Sequence, residues 1–223
     1  VFPLIPAAGF FCLHDVAFCL RSAVVRVLIA CEFSGIVREA FRRRGHKAFS
    51  CDLLPAEDGS RFHLQEDVFG VIRRLDWDLM ICHWPCTYAC NSGVRWLKGN
   101  RDRWYLMEAY ARKFKTLLNS KVPRLAMENP IPHRYAAALM GRKYDQIIHP
   151  WQFGHREMKA TCIWVKNLPL LQATDNVGPP PTDKIEREKW ARVHRAPPSP
   201  DRWKERSRTL FGVADAMAEQ WGI

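Results

Sequence analysis

The chain is short of acidic residues, with 23 Asp and Glu against 34 Lys and Arg in 223 residues and a formal net charge of +11. An excess of this size points to a polyanionic partner, usually nucleic acid. The chain also lacks any C-x2-C pair or a matching distal Cys/His pair, which removes the usual spacing of a tetrahedral zinc site. It lacks the GxGxxG turn that cradles a pyrophosphate, which argues against a dinucleotide cofactor. No apolar run reaches membrane-spanning length. The first 25 residues are apolar, yet His14 and Asp15 interrupt them and no basic region leads them, so neither a secretory signal nor an anchor is expected. Residues 1–25 are expected instead to be a dispensable leader, an over-extended gene start, ahead of a domain over 26–223. No internal repeat is present.

What is present suits one α/β domain. Hydrophobic residues make up 48% and charged residues 26%, enough apolar side chain for a proper core and too little charge bias for a disordered chain. Cys31, Cys51, Cys82 and Cys162 sit within or at the ends of apolar runs, where a free thiol behaves as a small hydrophobe. That usage fits a reducing compartment, and a cytoplasmic protein of a bacterial or phage-infected cell is expected.

The runs RVLIAC (26–31), KAFSCD (47–52), WDLMICH (77–83) and PRLAMENP (123–130) read as buried strands, and DQIIHPWQFG with ATCIWVKNL as a final antiparallel pair. Helical spacing appears in IVREAFRRRGH, DVFGVIRRL, RDRWYLMEAYARKFKTLLNS and TLFGVADAMAEQW. Their alternation predicts a largely parallel sheet covered on both faces. Residues 171–208 hold GPPP and APPSP without sustained periodicity, and read as a basic, irregular or mobile insert.

In such a sheet, ligands bind beyond the carboxyl ends of the strands. This chain places Glu32, Phe33, Ser34 and Gly35 after the first strand, Asp52 after the second, Asp67 at the next helix start, His83–Cys86 after the third and Glu128 with Asn129 after the fourth. Singly, each has a plain structural explanation: a turn glycine, an N-cap, a loop carboxylate, a buried thiol. Their common position at one rim is the informative feature. A carboxylate ending the second strand suits the two hydroxyls of a ribose, and the absent phosphate cradle directs the choice to S-adenosylmethionine. The cysteines Cys82, Cys86 and Cys90 differ in setting. Cys82 lies in a strand, whereas Cys86 follows Pro85 on a loop, where a single thiolate could serve as a nucleophile.

The ordered motifs LIACEFSG, PCT after DLMICHW, MENP after PRLA, and FGVADAMAEQW resemble those of the DNA (cytosine-5) methyltransferases, and the chain is similar to short, phage-type members from about Arg26 to Trp221. The resemblance implies a class I S-adenosylmethionine-dependent methyltransferase fold, a Rossmann-like three-layer α/β sandwich with a short irregular insert. It implies Cys86 as nucleophile, Glu128 and Asn129 as the pair engaging a flipped pyrimidine, and Arg156 or Lys159 as the cation touching the base. Phe33, Ser34, Gly35, Asp52, Asp67 and Pro85 match the cofactor side, and DNA is the implied partner. For DNA contact the insert interleaves eight Lys and Arg with tryptophans over 187–208, making Arg192, Arg195, Arg202, Trp203, Lys204, Arg206 and Arg208 candidates for phosphate contacts and stacking. Trp84, Thr87, Pro130 and Val213 stand where the family has proline, glutamine, valine and asparagine. Two other readings remain at this point: the same Cys/Glu pair acting on a free pyrimidine nucleotide, and a catalytically decayed DNA-binding protein.

Overall fold

A computed structural model describes residues 23–223, so the expected leader falls outside the described residues except for its last three positions. Among the described residues, seven strands form one sheet: β1 (Arg26–Ala30), β2 (Lys47–Asp52), β3 (His63–Gln65), β4 (Leu79–His83), β5 (Arg124–Pro130), β6 (Gln146–Ile148) and β7 (Thr161–Lys166). Their order is β3-β2-β1-β4-β5-β7-β6. β1 to β5 pair in parallel, while β7 runs antiparallel between β5 and β6. A reversed strand inserted between the fifth and sixth is the class I methyltransferase arrangement, and the sheet order alone establishes that fold.

Helices α1 (Ile36–Arg43) and α8 (Phe211–Trp221) cover one face, and α2 (Val68–Arg74), α3 (Arg101–Leu118) and α4 (Arg134–Leu139) the other. Strand side chains alternate between the two cores with the period of the pleat. Val27, Ile29, Leu79, Ile81 and Ala126 join Phe41, Met217 and Trp221, whereas Leu28, Met80, Cys82, Leu125 and Met127 join Val71, Met107 and Phe114. Because both faces are buried, the strands read as continuous apolar runs and not as alternating ones. Helix α3 presents Met107, Tyr110, Ala111, Phe114 and Leu118 to the sheet, the stripe its spacing predicts. No helix among the described residues is long and apolar enough to cross a membrane.

Three segments differ from the sequence expectation. The polar loop after β2 contains β3, only three residues long and too short to show a pattern. The run DQIIHPWQFG extends as strand only to Ile148, then tightens into a 3-10 turn, Pro150–Gln152, because Pro150 has no N–H to continue a ladder. The insert is not irregular throughout: it holds α5 (Lys184–Lys189), α6 (Arg192–Arg195) and α7 (Arg202–Ser207). Asp183 caps α5 by accepting from the Glu186 N–H at 2.9 Å. Helices of four to six residues are too short for hydrophobic periodicity to register.

Candidate active site

At the carboxyl ends of β1, β4 and β5 lies a cavity of about 110 Å³. Its walls are the β1 turn (Cys31–Ser34), the end of β4 with its following loop (His83–Cys86), Glu128 and Pro130 of β5, Lys159 ahead of β7, and Arg206–Thr209. The parallel register sets His83 opposite Glu128. The two side chains meet in a hydrogen bond of 3.0 Å from His83 Nδ1 to Glu128 Oε2.

The loop carrying Cys86 is fastened to the segment that follows Glu128. Asn129, fully buried, donates its side-chain amide to the Trp84 carbonyl at 3.0 Å. The His133 N–H donates to the Ala89 carbonyl at 2.8 Å, and His133 Nε2 lies 3.1 Å from the Tyr88 carbonyl. The same ring accepts the Ala136 N–H at Nδ1, 3.2 Å, which directs Nε2 as donor to the Tyr88 carbonyl. Trp84 packs its ring against Phe69 and Tyr110, with centroids 6.1 and 6.2 Å away. The unusual tryptophan beside the cysteine is thus part of the sheet-to-helix core as well as the cavity wall.

The three cysteines occupy different environments. Cys82 is fully buried in β4, and burial pushes its thiol well up. Cys86 faces the cavity; a hydrogen bond with the Cys90 sulfur, together with burial, pushes its thiol up. Cys90 moves the other way, held down by Cys86 and by the Ser92 hydroxyl 3.2 Å from its sulfur, against burial. No group of three or more metal-ligating side chains occurs among the described residues.

Charge in the cavity centres on Glu128. Burial raises its carboxyl, but the hydrogen bond and charge of His83, the charge of Lys159 and a hydrogen bond from Thr161 outweigh that and hold it below the ordinary value. For His83, burial opposes protonation, and the Glu128 bond with the charges of Glu128 and Glu32 more than reverses it. Lys159 has its pKa lowered by burial against the pull of Glu128 and Cys86, and its Nζ donates to the Arg208 carbonyl at 2.8 Å. Arg156, the other candidate cation, is exposed and absent from the cavity wall.

On the cofactor side, Phe33 and Ser34 line the cavity with Pro85, while Gly35, Asp52 and Asp67 lie outside its wall. Gly35 has φ +74°, and an added Cβ would collide with Nη2 of Arg38. That guanidinium is fully buried, bonded to Ser50 Oγ at 2.8 Å and paired with Asp58. Asp52 ends β2, with Oδ1 accepting the Leu54 N–H at 2.9 Å beside the exposed Leu53. Burial pushes the Asp52 carboxyl up. Asp67 caps α2 by accepting the Phe69 N–H at 2.8 Å. A carboxylate at a strand end, an exposed leucine beside it and a glycine turn without a phosphate cradle fit a nucleoside that carries two hydroxyls and no phosphate.

The insert is strapped over the rim. Trp203 lies on Phe33 with ring centroids 5.5 Å apart, and Arg208 binds both Glu57 oxygens at 2.8 and 3.0 Å. The Met158 N–H donates to the Trp190 carbonyl at 2.7 Å. Of the proposed DNA-binding cations, Arg206 lines the cavity with Arg208, whereas Arg192 pairs with Glu157, Arg195 with Glu188 and Lys204 with Asp201. Arg202 donates to the Ala196 and His194 carbonyls. Sequence reasoning left His83, His133 and Glu57 without roles. Only His83, at a strand exit, carried a positional signal.

No family model matches the chain, and no curated protein matches it. Among solved structures it is similar to a protein described as a DNA modification methyltransferase encoded within an E. coli prophage, at 14% identity and a TM-score of 0.45, over 70% of this chain and 52% of that one. It is also similar to the Entamoeba histolytica methyltransferase EhMeth, at 13% identity and a TM-score of 0.45, over 69% and 58% of the two chains. A third is the S. pombe Dnmt2 methyltransferase, at 15% identity and a TM-score of 0.39, over 66% and 51%. The chain spans little more than half the length of these structures. At such identities and scores, function has to be read from the chain's own residues.

Proposed function

We propose that this protein transfers a methyl group from S-adenosylmethionine to C5 of cytosine in DNA through a covalent adduct on Cys86. The observation that carries the reading is the convergence of Cys86 and Glu128 on one cavity, with Asn129 bonding the backbone of the loop that bears the cysteine. Cytosine C5 is too weak a nucleophile to react unaided. Cys86, once its thiol proton has passed to water, adds to C6, and a proton supplied through Glu128 at N3 stabilises the resulting enamine. Phe33, Ser34, Gly35, Asp52, Asp67 and Pro85 are the residues that would hold the cofactor, which supplies an electrophilic methyl group when bound. Once C5 is methylated, loss of its proton expels the Cys86 sulfur and returns the N3 proton to the protein.

The base must leave the helix to reach this cavity, at about a few kcal/mol of unstacking. Arg192, Arg195, Arg202, Lys204, Arg206 and Arg208 offer phosphate contacts, and Trp203 a stacking face. Several of these cations would exchange a carboxylate of this chain for a phosphate, Arg208 leaving Glu57 among them. Incubation with labelled S-adenosylmethionine and duplex DNA, single-stranded DNA or dCMP tests the assignment. Label is expected in 5-methylcytosine of DNA. Label in dCMP alone overturns the DNA substrate, and label in none of the three favours a decayed DNA-binding protein.

A further inference from the structure

His83 is a buried ionisable group of the cavity that the chemistry above leaves unused. It ends β4 directly opposite Glu128, and its ring Nδ1 lies 3.0 Å from Glu128 Oε2, with the two side chains only 9% and 17% exposed. Its second nitrogen, Nε2, is buried without a hydrogen-bond partner among the described residues. The charged groups facing it are Glu128 from β5, Glu32 from the β1 turn and Lys159 ahead of β7, with Cys86, Arg206 and Arg208 in the same wall. Glu32 is itself engaged, its carboxylate accepting the Val37 and Arg38 N–H groups of α1 at 2.7 and 3.3 Å. Lys159 is committed to the Arg208 carbonyl. Glu128, held below the ordinary carboxylate range, has no proton of its own to give near neutral pH.

We propose that His83 is a positioning residue that stores the proton Glu128 delivers to cytosine N3, an inference that rests on the cytosine reading above. At rest the pair holds one proton, as imidazolium beside carboxylate. When Cys86 adds to C6, the electron pair of the C5–C6 double bond moves through the ring and N3 becomes more basic. One proton then passes from the His83–Glu128 pair to N3, leaving neutral His83 beside the Glu128 carboxylate. When the sulfur is expelled, the N3 proton returns to the pair. The C5 proton passes to water, so the pair ends each cycle as it began.

The variant His83→Asn keeps an N–H directed at Glu128 but carries no transferable proton, so it separates alignment from proton storage. Single-turnover methylation of cytosine DNA by the full chain with S-adenosylmethionine should fall roughly 10²-fold, with KM for the cofactor unchanged. One limb of the pH–rate profile, set by the pair in the wild type, should move, because in the variant it reports Glu128 freed of the His83 bond and charge that hold it down against burial. The loss should shrink on 5-azacytosine DNA, read there as the rate of Cys86 adduct formation, because the ring nitrogen at position 5 already makes C6 electrophilic. An unshifted profile, or an equal loss on both bases, overturns the proposal. A second measurement uses the wild-type protein: its His83 ring nitrogens should show the 15N shifts of an imidazolium at neutral pH, and a neutral ring overturns the proposal even if the variant fails to fold. Wild-type protein that forms no adduct with either base overturns the cytosine reading and this inference together. A wild-type adduct with unchanged His83→Asn kinetics overturns this inference alone.

Discussion

Replacing Asn129 with alanine should loosen the nucleophile loop. The side chain is fully buried, and its amide supplies the bond to the Trp84 carbonyl at 3.0 Å, two residues before Cys86. Leaving that carbonyl unsatisfied costs about 1–3 kcal/mol. Part is returned, because the Asn129 Oδ1 is itself buried without a partner among the described residues and disappears with the substitution. A net loss of about 1–2 kcal/mol follows, which for a chain of this size lowers the melting temperature by roughly 2–8 °C. The effect on rate should exceed the effect on stability, since a displacement of about 1 Å of a reacting group can cost about 10²-fold. Asn129→Asp should be worse: it removes the donor and places a buried charge next to Glu128. Calorimetry and single-turnover methylation check both quantities. An alanine variant that melts within about 1 °C of the wild type and methylates at the wild-type rate would refute the idea that Asn129 fastens the loop.

Gly35→Ala combines a positive φ with a Cβ in contact with the buried Arg38 guanidinium, so it should destabilise the fold by about 1–3 kcal/mol and weaken S-adenosylmethionine binding, measured by chemical denaturation and titration calorimetry. Glu57→Gln breaks the carboxylate bond to Arg208; because the Arg208 side chain is 42% exposed, stability should change by less than about 1 kcal/mol, while limited proteolysis within 196–208 accelerates. Iodoacetamide should modify Cys90 before Cys86, since Cys86 is raised by their shared hydrogen bond and Cys90 lowered by it. Cys90→Ala should then speed alkylation of Cys86, as peptide mass mapping would record.

The rim residues were legible because strand exits are marked by simple changes of composition. Apolar runs end at Cys31, Asp52, His83 and Glu128, and an open parallel sheet brings those ends together whatever the intervening loops do. The three helices of the insert were not legible, because each is shorter than the window in which a 3.6-residue period can be seen. The bonds from His133 to the Cys86 loop and from Glu57 to Arg208 join residues 45 and 151 positions apart, and nothing local in the sequence marks such partners. The cations of 187–208 show the limit of composition: their number suggested phosphate binding, yet the folded chain already pairs Arg192, Arg195, Lys204 and Arg208 with carboxylates of its own.

Covalent capture tests the central claim most directly. The full chain, S-adenosylmethionine and a duplex containing 5-fluorocytosine should yield a stable protein–DNA adduct, because fluorine replaces the C5 proton whose loss releases the enzyme. Mass spectrometry of the digested adduct should place the modified base, carrying one added methyl group, on Cys86, and Cys86→Ser should form none. An adduct on Cys90, or methylated DNA produced at the wild-type rate by Cys86→Ser, would contradict the assignment of Cys86 as the nucleophile.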